Sequence, residues 1–254
     1  MPLNTPIRDW KNKRVWIIGA STGIGAALAD LLAERGAHLA LSARNRERLD
    51  RVARKYPGSV ALPLDLTEPH TLLPSVLQLL DIWGGLDMVV LSAGTYAQLR
   101  AGDLTIEGAR QTIETNLMGV INGTAAVLPQ LLQQGEGAIA IVGSAAGYRG
   151  VPKALAYGAA KAAVINFAEA LHLDLTSSGV SVFLVNPGFV ESSAALGRAE
   201  LEPTAREAAE NILEGIARGR FEIRFPTRFT YILKLLRVLP ERIYARATRR
   251  VASS

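Results

Sequence analysis

Short apolar, β-rich runs alternate with helix-patterned segments along nearly the whole chain, and this alternation limits the possible folds more than any other feature. The expected strands are Arg14–Ile18, His38–Ala43, Ser59–Leu64, Asp87–Leu91, Ala138–Val142, Val180–Val185 and a short last one at Phe221–Arg224. They are almost continuously apolar, as strands covered on both faces are. Helix candidates lie between them at Ile24–Arg35, Arg46–Tyr56, Pro69–Asp81, Ile106–Gln134, Leu155–Ser177 and Thr204–Arg218. Strict alternation predicts an α/β fold with a doubly wound parallel sheet of about seven strands, helices on both faces and right-handed crossovers. No internal repeat or low-complexity linker divides it. The reading is one domain over residues 1–225, with residues 226–254 as an extension of it.

Gly19, Gly23 and Gly25 fall where the first strand turns into the first helix. Backbone without β-carbons can approach a pyrophosphate, and a helix N-terminus offers unpaired N–H groups and a positive dipole end. A nucleotide cofactor is expected there. The end of the second strand bears on which one. Enzymes that use NAD place an acid at this point to hold the ribose hydroxyls. Here the run is Ser42-Ala43-Arg44-Asn45, with Ala43 where the acid would stand. Arg44 is a planar donor suited to a 2′-phosphate, with Ser42 or Asn45 to assist, so NADP(H) is favoured over NAD(H).

Tyr157 and Lys161 are four residues apart in Tyr157-Gly158-Ala159-Ala160-Lys161. On a helix they share one face, one turn apart. A cation beside a phenol lowers its pKa from about 10, which suits it to trade a proton with a carbonyl or alcohol oxygen. Thirteen residues before Tyr157 stands Ser144, in Gly143-Ser144-Ala145-Ala146-Gly147, just after the apolar run Ala138–Val142.

With these motifs in this order, the chain resembles the short-chain dehydrogenase/reductase family in its classical form, over roughly residues 12 to 225. The glycine spacing, G-x-x-x-G-x-G, is that family's. The resemblance implies a Rossmann-type fold and a catalytic set of Asn116, Ser144, Tyr157 and Lys161. Tyr157 is the general acid or base, and Ser144 holds the substrate oxygen. Lys161 tunes Tyr157 and binds the nicotinamide ribose. Asn116 kinks its helix and holds a water that completes a proton relay. It also implies cofactor contacts from Gly19, Ser21, Thr22, Gly23, Ile24 and Gly25 at the phosphates, and from Arg44 and Asn45 at the 2′-phosphate. Asp65 and Leu66 would lie at the adenine, and Ala93 and Gly94 at its ribose. Pro187, Gly188, Val190 and Ser192 would surround the carboxamide, with Tyr157 and Lys161 also in contact. One departure stands out. The family's Asn-Asn-Ala-Gly reads Leu91-Ser92-Ala93-Gly94 here, without the leading amides.

The chemistry so implied is hydride transfer between NADP(H) and a small carbonyl or alcohol, with reduction as the working direction and a homo-oligomer as the assembly. Substrate choice falls to the loops Thr95–Asp103, Tyr148–Leu155 and Phe189–Pro203, whose mainly apolar residues favour an apolar ketone or aldehyde. A non-catalytic NADP-binding sensor on the same fold is the bland alternative, but it would have lost Tyr157 or Lys161.

No cysteine is present, which excludes disulfides and thiolate chemistry and fits a cytoplasmic protein. His38, His70 and His172 are scattered without metal-ligand spacing, so no metal is expected. The net charge of +5 is uneven: residues 218–254 carry ten basic and two acidic side chains, leaving the rest at −3. The basic character therefore belongs to the extension, and no nucleic-acid partner is expected. Phe229, Ile232, Leu233 and Leu236 follow an i, i+3, i+4, i+7 pattern among basic residues, and Ile243, Tyr244, Ala247 and Val251 resume it after Pro240. Such a segment packs on protein or lies on an anionic membrane, where a peripheral reductase would meet a lipid-like carbonyl. Packing is the expectation.

Overall fold

The computed structural model describes residues 3–96, 99–188, 204–226, 230–231, 234 and 239–244. Its strands are β1 (Arg14–Ile18), β2 (His38–Ser42), β3 (Val60–Ala61), β4 (Met88–Leu91), β5 (Gly137–Val142), β6 (Val180–Pro187) and β7 (Glu222–Phe225). Its helices are α1 (Gly23–Glu34), α2 (Arg46–Ala53), α3 (Leu72–Trp83), α4 (Ile106–Ile113), α5 (Gly119–Gln134), α6 (Leu155–Asp174) and α7 (Ala205–Ala217). The strands form one parallel sheet in the order β3-β2-β1-β4-β5-β6-β7. The order reverses between β1 and β4, and a crevice opens at such a point beyond the strand C-termini.

Successive side chains of a strand point to opposite faces, and here both faces are apolar. Val15, Ile17, Leu39, Leu41, Val90, Phe183 and Val185 face Leu28 and Leu32 of α1 and Ile212 and Ile216 of α7. Trp16, Ile18, Val89, Leu91, Ile139, Ile141 and Leu184 face Val76 and Leu79 of α3, Val127 and Leu131 of α5, and Val164 and Ala168 of α6. Each face buries the apolar stripe of its helices, at about 25 cal/mol for every Å² removed from water.

The helix ends follow local chemistry. Asn45 caps α2 by accepting from the Arg48 N–H at 2.8 Å, and Thr105 caps α4 by accepting from Gly108 N–H. Thr204 and Glu207 form a reciprocal capping box at the start of α7. Gly84 and Gly135 end α3 and α5 in the left-handed conformation.

Three expected elements come out differently. The run Ser59–Leu64 pairs as a strand only at Val60–Ala61. Pro63 has no N–H to give the ladder, although Leu62 and Leu64 still donate to Leu41 and Ala43. The helix expected over Ile106–Gln134 is interrupted by a π-helical turn, Glu114–Met118, centred on Asn116. The strand expected to stop at Val185 runs on to Pro187, paired with β7.

Below the start of β7, the free edge of β6 is covered by the N-terminal segment. The Asn4 side chain donates to the Val182 carbonyl at 2.6 Å and accepts from the Val182 N–H at 3.2 Å. A single amide thus acts as a neighbouring strand and closes the edge.

The described part of the extension lies on the body. Thr230 is fully buried, Lys234 pairs with Glu222, and the Tyr244 hydroxyl donates to the Gly150 carbonyl at 2.6 Å. Phe229, Ile232, Leu233, Leu236, Ala247 and Val251 of the expected amphipathic pattern lie outside the described residues. Among the described residues, no helix is long and apolar enough to cross a membrane.

Candidate active site

The strand C-termini and the helices that follow them bring together most of the residues singled out in the sequence. Ser144 sits directly after β5 and opens a short 3-10 turn, Ala145–Gly147, where its Oγ accepts from the Ala146 N–H at 3.2 Å. Tyr157 lies in the first turn of α6, near enough for the Ser144 side chain to pull its pKa down. Glycine makes this meeting possible. A β-carbon on Gly147 would lie 2.6 Å from the Lys161 carbonyl carbon, so the Ser144 turn rests on the backbone of α6 at Lys161 itself.

Lys161 is 3% exposed, and its ammonium donates to the Val142 carbonyl at the end of β5, at 2.8 Å. Burial lowers its pKa to about 8. It lies 5.8 Å from the centre of the Tyr157 ring. The expected depression of the Tyr157 pKa is not what this arrangement gives. Burial pushes the phenol up and outweighs the Ser144 hydrogen bond, which pulls it down. The ammonium is engaged by a backbone carbonyl.

Asn116 occupies the π-turn between α4 and α5. Its Nδ2 donates to the carbonyls of Thr95 (2.9 Å) and Thr112 (3.0 Å), while its Oδ1 is buried with no partner. The amide's bond back to Thr112, four residues earlier, accompanies the widened turn, a feature frequent at functional sites. A β-carbon on Gly94 would stand 2.9 Å from that oxygen and 3.7 Å from the Lys161 ammonium. The small residue kept at 94 therefore leaves Asn116 and Lys161 open to one another's side of the crevice.

At the glycine-rich turn, Gly19 has φ of +98°, and a β-carbon there would meet the Ala93 N at 2.6 Å. A β-carbon on Gly25 would collide with the Gly19 carbonyl oxygen. The protein's own backbone thus demands these two glycines, which closes β1 against the loop after β4. The anion-binding property lies next door. Thr22 caps α1 without a side-chain bond to its first turn, and no acid occupies that turn, so its N–H groups face the crevice uncompensated. Ser21, Thr22, Gly23 and Ile24 form this edge. These residues fit a pyrophosphate.

At the end of β2, Ala43 is buried and Arg44 reaches outward, its guanidinium 4.0 Å from an oxygen of Asp65. Asp65 also accepts from the Thr67 N–H and hydroxyl at 2.9 Å. Leu66 is buried, and its carbonyl accepts from Asn122. The two residues expected beside Arg44 each accept a hydrogen bond from the protein. Ser42 is buried and accepts from the Trp16 indole N–H at 2.8 Å, and the Asn45 oxygen caps α2. Pro187 ends β6, and the Gly188 N–H donates to Phe225. Val190 and Ser192 lie outside the described residues.

The sequence reading missed several residues of the site. Tyr96 stands edge-on to Tyr157, ring centres 4.9 Å apart, and was legible only as an apolar loop residue. Glu222, at the start of β7, accepts from Tyr148 (2.7 Å) and from Asn186 (3.0 Å). No local motif marks it. Among the described residues, no cluster of His, Asp and Glu could hold a metal ion.

The sequence profile of short chain dehydrogenases matches residues 13–202. The chain belongs to the short-chain dehydrogenase family. An uncharacterized oxidoreductase of Myxococcus xanthus (strain DK1622) is 35% identical over 242 residues, which is 92% of this chain and 96% of that one. An uncharacterized oxidoreductase of Staphylococcus aureus (strain USA300) is 30% identical over 211 residues, 80% of this chain and 90% of its own. The crystal structure of a short-chain dehydrogenase/reductase from Burkholderia phymatum in complex with NAD superposes with a TM-score of 0.82 at 22% identity, covering 90% of this chain and 94% of that one. That likeness shows a shared fold. The family and its relatives make this chain an oxidoreductase that uses a nicotinamide cofactor.

Proposed function

We propose that this short-chain dehydrogenase is an NADP(H)-dependent oxidoreductase that interconverts a carbonyl and an alcohol, working as a reductase of an apolar ketone or aldehyde. The observation that carries the reading is the grouping of Ser144, in the turn whose Gly147 rests on α6, with Tyr157 and the buried ammonium of Lys161 on that helix. Bound NADPH supplies the hydride. Ser21, Thr22, Gly23 and Ile24, in the turn that Gly19 and Gly25 make possible, would hold its pyrophosphate, and Asp65 and Leu66 its adenine. Ala93, Gly94 and Lys161 serve its riboses, and Pro187, Gly188, Val190 and Ser192 its carboxamide. Arg44, with Asn45 beside it, takes the 2′-phosphate. Support for NADP comes from the apolar Ala43 where an acid would repel that phosphate, and from the loose 4.0 Å pairing that leaves Arg44 able to turn.

The protein's own part is proton handling and charge stabilisation. The raised pKa of Tyr157 keeps the phenol protonated at neutral pH, so it is ready to give a proton to the substrate oxygen. Ser144 donates a hydrogen bond to the same oxygen as negative charge develops. Lys161 then stabilises the phenolate left behind, and Asn116, through its unpaired oxygen, accepts from the water or ammonium that returns the proton. Tyr96 adds an aromatic wall beside the reacting oxygen, which suits an apolar substrate.

A panel of ketones and aldehydes, followed by loss of reduced-cofactor absorbance with NADPH and with NADH, tests the reading. Turnover of apolar carbonyls with NADPH is expected. Turnover with NADH alone would overturn the cofactor assignment, and none with either would overturn the reductase.

A further inference from the structure

The carboxylate of Glu222 joins three separate segments of the chain. Its Oε1 accepts from the hydroxyl of Tyr148, four residues past Ser144, and from the amide of Asn186, next to Pro187 at the end of β6. Its Oε2 accepts from the ammonium of Lys234 in the C-terminal extension and, at 3.4 Å, from Arg224. Tyr148 and Asn186 are both buried, so their donors need an acceptor, and this carboxylate is the one they share. The extension grips the same loop a second time. Arg149 donates to the Leu239 carbonyl at 2.8 Å and lies over the Tyr244 ring at 3.9 Å, while the Tyr244 hydroxyl donates to Gly150. Three consecutive loop residues, Tyr148, Arg149 and Gly150, are thereby tied to residues between 222 and 244.

We propose that Glu222 and Lys234 are positioning residues of the active site, and that the docked C-terminal extension fixes the loop between Ser144 and Tyr157 and so the placement of Ser144. The proposal rests on the reading of Ser144 as the group that holds the substrate oxygen. The hydrogen bonds of Ser144 run to the turn that follows it, from the Ala146 N–H to its Oγ and from the Gly147 N–H to its carbonyl, so its register depends on where that turn is held. On one side Gly147 rests on α6. On the other side the tether is Tyr148 to Glu222, whose charge the extension balances. Arg224 remains beside Glu222 when Lys234 is replaced, so the carboxylate keeps a cation and the core keeps its fold.

The test uses the full chain with Lys234→Met, Lys234→Arg and Tyr244→Leu. Four quantities are compared with the parent: NADPH affinity, kcat and KM for a carbonyl that the parent reduces, and amide hydrogen exchange over residues 145–151. Lys234→Met and Tyr244→Leu are expected to speed exchange across 145–151 and to lower kcat about tenfold or more, the scale on which misplaced catalytic groups act, with NADPH affinity within about twofold. Lys234→Arg should restore both. Unchanged exchange overturns the docking, and faster exchange with parental kcat overturns the positioning of Ser144. A parent inactive on every carbonyl sinks the reductase reading separately, and the exchange comparison still decides whether the extension holds the loop.

Discussion

The Lys161 ammonium is bonded to the Val142 carbonyl at 2.8 Å, and among the described residues no carboxylate pairs with it. The molecule therefore holds a buried charge at a cost to its stability. Lowering its pKa from 10.5 to about 8 corresponds to about 3 kcal/mol, from which the lost bond to Val142 would take back about 1 kcal/mol in a Lys161→Met variant. That variant is expected to be inactive and more stable than the parent at pH 7. Below pH 8 the folded lysine is charged and the penalty is complete. As pH rises from about 8 toward 10.5 the folded state sheds its proton first, the parent gains stability, and the two proteins converge. Thermal melts at pH 7 and pH 10 measure the gap, and a less stable variant at pH 7 would refute the argument.

Tyr157→Phe should fold and bind NADPH yet lose nearly all turnover, because the phenol supplies the proton while the phosphate contacts lie elsewhere. A loss of about 10²–10⁴-fold in kcat is expected for general acid catalysis. Steady-state kinetics beside cofactor titration separates the two effects, and retention of more than about a tenth of the rate would contradict the assignment.

Arg44→Ala should weaken NADPH binding while leaving NADH nearly untouched. The charge-assisted phosphate contact is worth about 1.5–3 kcal/mol, or roughly 10- to 150-fold in affinity. The ion pair with Asp65, at 4.0 Å and half exposed, is too weak to oppose this. Fluorescence titration with both cofactors measures it, and equal affinities in the parent would end the NADP reading.

Gly147→Ala places a methyl group 2.6 Å from the Lys161 backbone, where neither side can yield cheaply. A destabilisation of about 1–3 kcal/mol is expected, as for overpacked sites, together with a fall in kcat as Ser144 is lifted from α6. Gly150→Ala is the control, since nothing lies within 4 Å of its added carbon. Equal melting temperatures for the two variants would show that the close packing does not matter.

Asp87 accepts from the Arg14 N–H at 2.8 Å and from its guanidinium at 2.7 Å. Burial would raise its pKa, but the bonds from Arg14 and the charge of Lys13 outweigh that and hold it below the usual range. Its stabilising effect is thus complete above about pH 4 to 5, where the unfolded carboxyl is ionised, and disappears as pH falls through the lower folded value. Asp87→Asn should be less stable at neutral pH and should show a shallower acid limb in denaturant titrations. Parallel acid limbs in the two proteins would count against it.

The sheet was legible because its strands are apolar on both faces, and alternation with helices leaves few arrangements for such strands. The catalytic candidates were legible because Tyr157 and Lys161 share one helix face and Ser144 follows a clear strand end. Expectation failed where a contact distant in sequence decides the outcome. Ser42 was read as an aid to Arg44, and the fold buries it completely, its oxygen accepting from the Trp16 indole on the neighbouring strand. Lys161 was expected to lower the pKa of Tyr157, yet burial governs the phenol and Val142 engages the ammonium. Glu222 carried no local signature because its partners lie at positions 148, 186 and 234, which only the finished fold assembles.

Asn4 grips Val182, 178 residues further along. A chain made from its N-terminus emerges with that amide long before its partner exists. The segment ahead of β1 must therefore wait in water while β1, β2 and β4 are already available to one another, and it can be fastened only once β6 has joined the sheet. Contacts of such long separation are slow to form because the loop between them must be closed first. The stitch at Asn4 therefore forms after β6 is in place, and until then the edge of β6 that it covers stays open.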